Sequence, residues 1–267
     1  MKVHELVSDE LWAIVVPLLP PHPPQPRGGR PWVDDRAALC GIIYVLKTGI
    51  QWRMLPAELG CGSGVTCWRR LRDWQDAGVW QALHLALLDR LGAAGRIDWS
   101  RASADSASVR AKGGGQATGK NPTDRGKPGS KHHVVTERQG IPLTAGLTGA
   151  DRPDGTVFEP LVESIPPIKQ PNGHRRKRPK KFHADKGYAA RHCRRYLRRR
   201  GIKVRIARKG VESTTRLGRH RWVVERTLSW LHANRRLAVR YERLEAIHQA
   251  FLDLGCALIC LRCLEAA

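Results

Sequence analysis

Apolar residues recur at helical spacing through the first ninety or so positions and at strand spacing afterwards, with capping residues, glycine and proline marking the breaks. Ser8 is placed to cap a helix from Asp9 to Leu19 that Pro20 and Pro21 stop, and HPPQPRGGRP then reads as a stiff basic connector. A second helix is predicted from Asp34 or Asp35 through Leu39, Ile42, Ile43 and Leu46 to a stop at Gly49. Ser63 caps a third, which carries Val65, Trp68, Leu71 and Trp74 on one face and Arg69, Arg70 and Arg72 elsewhere, with Gly78 as its end. A fourth runs from Val79 to Leu91 and is expected to stop at Gly92. Short helices with a basic third member predict a helix-turn-helix-like DNA reader over residues 1–93; the plainer alternative makes Trp68, Leu71 and Trp74 core and the arginines a solvated face.

From Ile97 the period changes. Arg101 to Val109 reads as a strand, Ala111 to Ser130 as a mobile loop rich in glycine and lysine, and Lys131 to Glu137 with Ile141 to Gly149 as a hairpin turning at Arg138-Gln139-Gly140. Thr156 to Ser164 predicts a short helix and Gln170 to Lys181 a basic linker into a strand that ends at Asp185. An arginine-dense helix from Ala189 to Arg200, a strand from Lys203 to Ala207 and two helices beyond Arg221 complete the pattern. Three strands, then helix, strand, helix, strand and helix, is the order of an RNase H-like α/β domain, here expected over residues 94–267 with basic loops at 111–130 and 170–181.

Charge changes the picture most. Lys+Arg number 47 against 24 Asp+Glu, a net +23, so a polyanion is the expected partner. No apolar run is read as reaching the roughly 20 residues of a membrane span, and the N-terminus lacks the short apolar core of a secretion signal; a cytoplasmic protein without membrane contact is expected. The seven cysteines are odd in number, and Cys256, Cys260 and Cys263 share one apolar helical run, where cysteine is a small buried hydrophobe.

In so basic a chain the acids stand out. Asp105 lies in the first strand, Asp185 ends the run Lys181-Phe182-His183-Ala184, and Glu225 sits inside the helical Arg221-Trp222-Val223-Val224-Glu225-Arg226. Alone, each has an ordinary explanation: a strand-end carboxylate capping a turn, or a helix-surface pair of Glu225 with Arg221 or Arg226. Together they offer three hard oxygen donors from two strands and a helix, the set that suits a pair of Mg²⁺ ions acting on a phosphodiester. Asp124, Asp151 and Asp154 compete for the first position; Asp105 is preferred because a metal ligand needs a rigid support. Lys186 is a candidate phosphate contact, and so is the run Arg175, Arg176, Lys177, Arg178, Lys180 and Lys181, which would bind phosphates without reading bases. Tyr188 and Trp222 are candidates for base stacking, with core packing the commoner role for such residues.

RWVVERTLSWLHANRRLAVRYER around Glu225, HADKGY around Asp185, and TGIQWRMLP with CWRRLRDWQDAGVW near the N-terminus together resemble the bacterial DDE insertion-sequence transposases, in particular the group founded on insertion sequence five, over nearly the whole chain. The resemblance implies that Asp105, Asp185 and Glu225 form the acidic triad, that two Mg²⁺ ions, or Mn²⁺ in their place, serve it, and that the protein binds terminal inverted repeats in double-stranded DNA as a homo-oligomer and cuts and joins strands in the bacterial nucleoid. Where that family often carries tyrosine and lysine around its glutamate, this chain has Gly218 and His232, which makes Arg221, His232, Arg235 and Arg236 the candidate DNA-end contacts. Two rival functions follow from the same residues: a DNA-binding repressor or transposase relic without catalysis, and a free-standing nuclease of the same fold.

Overall fold

The structure, a computed structural model, describes residues 6–24, 28, 31–207 and 214–266, and of 214–220 only the backbone. Four helices come first: α1 (Asp9–Val15), α2 (Asp35–Thr48), α3 (Gly64–Asp76) and α4 (Val79–Ala93). Their starts follow the predicted caps. Ser8 Oγ accepts from Leu11 N, Asp34 Oδ1 from Ala37 N at 2.8 Å and Ser63 Oγ from Thr66 N at 3.1 Å, each satisfying an amide that has no partner within its helix. Gly49 closes α2 in the left-handed region at φ 72°. Gly92 does not end α4, which runs through it to Ala93; glycine is needed there because a β-carbon would lie 2.1 Å from the carbonyl oxygen of Lys169.

The remainder is built on a mixed sheet. Its long strands are β1 (Ala102–Ala111), β2 (Pro128–Glu137), β3 (Pro142–Gly149), β4 (Lys181–Ala184) and β5 (Lys203–Ile206). They lie side by side in the order β3-β2-β1-β4-β5; the β1–β2 and β2–β3 pairs are antiparallel and the β1–β4 and β4–β5 pairs parallel. This is the RNase H-like arrangement: a three-stranded meander extended from its first strand by two crossover units. Helices α5 (Phe158–Glu163) and α6 (Arg191–Arg199) belong to those crossovers. Phe158 packs edge-on against Phe182 at 5.3 Å and against Tyr196 at 6.4 Å, closing one face. Helix α7 (Thr214–His232) lies over the β1–β2 part of the sheet, followed by α8 (Arg235–Ala238) and α9 (Glu245–Glu265).

The segment read as a mobile loop is tied down instead. Gly119–Lys120 adds a short strand to β2, Gln116 N donates to Arg243 O, and the buried Arg240 reaches Ala117 O and Ser130 Oγ. The basic linker is likewise strapped, with Ile168–Lys169 paired to Arg175–Arg176. Helix α9 corrects a further expectation: among the described residues it is the one helix long and apolar enough, by length and composition, to cross a membrane. Some 67% of its apolar window is buried in the fold, where Phe251, Leu254, Cys256 and Cys260 form core and the helix packs on α4 and β3. One continuous core therefore joins the helical part to the sheet.

Candidate active site

The sheet register brings two of the predicted acids together. Ala104 of β1 stands opposite Ala184 of the parallel β4, so Asp105 and Asp185, one residue further on each strand, emerge side by side. Asp185 stops the strand by capping the turn Lys186–Tyr188, its Oδ1 accepting from Gly187 N at 2.8 Å. Asp105 accepts from Ser106 N at 2.9 Å and from Arg221 Nη2 at 3.3 Å. Arg221 Nη2 also lies 3.2 Å from Glu225 Oε1, one helical turn along α7, so a single guanidinium nitrogen joins acids from two elements. Glu225 is half exposed, whereas the Asp105 side chain is 14% exposed. Burial pushes the Asp105 carboxyl above its ordinary value; the Ser106 amide and Arg221 oppose the shift without cancelling it, and Asp185 adds to it.

A fourth acid borders the site. Asp154 opens the turn Asp154–Val157 after β3 and accepts from Ser106 Oγ at 3.0 Å and Lys131 Nζ at 2.9 Å. A β-carbon on Gly187 would lie 2.9 Å from both Asp154 Oδ2 and Asp185 Oδ1, so only glycine lets the two carboxylates approach there. Asp154 carries its own lysine counter-ion, while Arg221 pairs with Asp105 and Glu225. The signal for Asp154 in the sequence is faint: an aspartate in a Pro-Asp-Gly turn looks like any turn residue. The other rivals lie elsewhere. Asp151 sits against Gly119 and Gly149 at the far end of the β2–β3 hairpin, and Asp124 pairs with Lys127 in the tied loop.

The predicted DNA contacts divide by placement. Lys186 follows Asp185 directly and is partly exposed; Arg69, Arg178, Lys180, Lys181 and Arg235 are exposed. Arg72 pairs with Asp73 at 2.7 Å, Arg175 with Asp89 at 2.8 Å and Lys177 with Glu163 at 3.4 Å; Arg176 lies over the Trp99 ring. Two arginines face inward, which removes them from the set available to a phosphate. Arg70 is buried against Asp35 at 3.0 Å, and Arg236 is buried with Glu242 at 2.6 Å while donating to Ile50 O at 2.9 Å. His232 bonds to His132 at 3.2 Å. Gly218 falls in the stretch of α7 described by its backbone alone. Tyr188 is fully buried against Phe158, as core, whereas Trp222 is 50% exposed with Arg226 over its ring.

As donors, three carboxylates suit a hard divalent cation, and Arg221 now lies between two of them. Among the described residues no group of three His, Cys, Asp or Glu is already close enough to hold a metal ion. Comparison with known proteins agrees with the topology. A family model described as "Transposase DDE domain" matches residues 97–260, and one described as "Putative transposase of IS4/5 family" matches residues 7–84. From Burkholderia cepacia, the "Putative transposase for insertion sequence element IS402" is 53% identical over 150 residues, covering 56% of this chain and 71% of that protein. The "Insertion element IS402 uncharacterized 16.2 kDa protein" from the same organism is 61% identical over 121 residues, covering 44% of this chain and 81% of that protein. Among solved structures, the catalytic domain of Mos1 mariner transposase matches with a TM-score of 0.27 and 12% identity over 69% of this chain and 91% of that one. At that distance the fold rests on the strand order itself.

Proposed function

The chain belongs to the transposases that carry a DDE domain, and from that premise we propose that Asp105, Asp185 and Glu225 are the acids with which it cuts and rejoins DNA at the ends of an insertion sequence. The observation that carries this reading is the parallel β1–β4 register, which sets Asp105 beside Asp185 while α7 brings Glu225 to the same guanidinium as Asp105. A divalent cation held by these carboxylates, Mg²⁺ or Mn²⁺, would neutralise phosphate charge and make an attacking hydroxyl more acidic.

The chain's own groups do the rest. Asp185 is oriented by the Gly187 amide and Asp105 by the Ser106 amide, so both present fixed oxygens. Arg221 offsets part of the repulsion between Asp105 and Glu225 before DNA arrives. Lys186, next to Asp185 at the carboxyl end of β4, would meet a phosphate there. Water or a DNA 3′-hydroxyl attacks phosphorus, a new P–O bond forms as the bond to the leaving oxygen breaks, and no side chain becomes covalently attached. Residues 1–93 form the part that reads the terminal inverted repeats, with Arg69 and Arg72 on α3 towards the duplex and residues 94–267 as the catalytic part. The exposed Arg178, Lys180, Lys181 and Arg235 add contacts to phosphates, and the protein works in the nucleoid as a homo-oligomer on DNA.

The test is cleavage and strand joining of plasmid DNA carrying the gene with its flanking sequences, by the wild type and by Asp105→Asn, Asp185→Asn and Glu225→Gln. Loss of both reactions in each variant, with duplex binding retained, is expected. Wild-type activity in Asp105→Asn with loss in an Asp154→Asn variant would give the first position to Asp154, and a wild type that binds these ends but cuts none with any divalent cation would make the protein a DNA binder.

A further inference from the structure

The sheet has one face that is only half covered. On β4 and β5, Phe182, Ala184 and Ile206 are buried and Val204 is partly buried, while the alternate residues Lys181, Lys203 and Arg205 are exposed and His183 is partly so. The buried set meets α5 and α6; the polar set looks the other way, onto the face that carries Asp105 and Asp185. Helix α7 crosses that face chiefly over β1 and β2, where Thr227 Oγ1 donates to Gly140 O at 2.7 Å and Arg226 donates to Gln139 O, and it touches β4 more lightly. Among the described residues, the part of the face towards β5 holds a cleft of about 310 Å³ lined by Ser100, Arg101, Arg138, Lys181, His183 and Arg205.

Among the described residues no acid lines this cleft, although Asp98 pairs with Arg138 from outside it at 3.2 Å and, with Glu137, acts on Arg101. Register places the cleft relative to the acids: Ser103, His183 and Arg205 are neighbours across the three parallel strands, and Asp105 and Asp185 come two residues later on the same face, roughly 7 Å on. One sheet face is thus basic at its amino end and acidic at its carboxyl end. Clustered cations at this spacing repel one another in the free protein and gain by meeting a row of phosphates.

We propose that this cleft seats backbone phosphates of the DNA strand whose phosphodiester reaches Asp105 and Asp185, with Lys181 and Arg205 as its principal contacts. The inference rests on the catalytic reading of those acids and extends it by giving the strand a path across β4 and β5. The plainer explanation is that Lys203 and Arg205 blunt an exposed edge strand against pairing with another chain. An edge guard has no reason to touch DNA, so the two accounts part in a salt titration.

The experiment measures binding of the full chain to a short random-sequence duplex as salt is varied, together with plasmid cleavage at limiting and saturating DNA. In the double variant Lys181→Gln/Arg205→Gln the slope of log affinity against log salt should flatten by about 1.8, two contacts at about 0.9 each, and cleavage should weaken at limiting DNA far more than at saturation. Lys47→Gln/Arg90→Gln, which removes the same charge from exposed positions on α2 and α4, should leave the slope unchanged. A slope in the cleft variant equal to that of the wild type, in a protein that still cuts, would overturn the cleft and leave the acids standing. Equal flattening in both double variants would also overturn it, since only net charge would then matter. A wild type that cuts nothing would count against the acids instead.

Discussion

The acids around Arg221 and the acid at Glu242 make a controlled comparison. Asp105 and Glu242 are both largely out of water, with side chains 14% and 3% exposed, and burial alone would raise both. Their outcomes differ in sign. Burial wins at Asp105, which is raised; at Glu242 burial is outweighed by His248 and Arg236, which hold it below its ordinary value. Glu242 lies inside a closed network: Arg236 Nε at 2.6 Å, His248 Nδ1 at 3.1 Å, and beyond His248 the imidazoles of His132 and His232, with His132 kept neutral chiefly by burial. The site has the opposite accounting: one guanidinium, Arg221, joins Asp105 and Glu225, and Asp185 adds its charge beside Asp105. A buried acid held by both Arg236 and His248 is structural; on the proposed reading, acids gathered with fewer cations are where a further cation would bind.

The largest expected effect breaks the closed network. Glu242→Ala strands the Arg236 charge in the core and should cost about 3–5 kcal/mol in urea unfolding, against under about 1 kcal/mol for Glu225→Ala, whose pair is half exposed. Equal costs would mean that the two clusters are not different in kind. The next effect reverses the pattern: Asp105→Asn should lower single-turnover cleavage by more than about 100-fold while leaving unfolding free energy within about 1 kcal/mol of the wild type or above it, since it removes a charge that burial disfavours.

A third acid sharpens the comparison by pairing with no cation among the described residues. Asp253 on α9 is met by Gln81 and Gln249, and burial pushes it up to about 7. Such a group favours the folded state while protonated, and that contribution is lost as pH rises through about 7. Measured against Asp253→Asn, the wild type should therefore lose on the order of 1 kcal/mol of stability between pH 6 and 8. The buried Glu137, also raised to about 7, and the histidines that burial keeps neutral, which favour folding as pH rises, act equally in both proteins and cancel in that difference. An identical pH profile in that variant would show Asp253 to be ionised throughout. The smallest effect lies away from all three acids: Ser63→Ala removes the cap that accepts from Thr66 N and should lower stability by about 1 kcal/mol in thermal or urea unfolding, while Ser63→Gly should cost only a few tenths.

The same contrast shows what could be read in advance. The placement of Asp105, Asp185 and Glu225 was legible because each lies in or at the end of a regular element whose period is visible, and the helix caps were legible because capping needs only three or four adjacent residues. Asp154 was discernible only as a rival, since its place beside Asp185 depends on a turn that meets Gly187, 187 − 154 = 33 positions further along the chain. Arg236 and Arg70 look in sequence like any exposed arginine, and nothing local reveals that Glu242 and Asp35 wait for them inside. Gly92 misled for the same reason: glycine stops helices where nothing approaches, and here Lys169 does.

By itself the sequence determined the helices and their caps, the order of strands and helices that specifies the domain, the basic balance and the elements carrying the three acids, all of which follow from periodicity, composition and neighbours a few residues apart. Tertiary structure alone decided which of the cations face solvent and which are spent inside, that α9 is core, that a fourth acid borders the site, and that one sheet face runs from basic to acidic. Those properties arise from strand register and burial, which set distances and dielectric between residues far apart in the chain, and no local pattern encodes either.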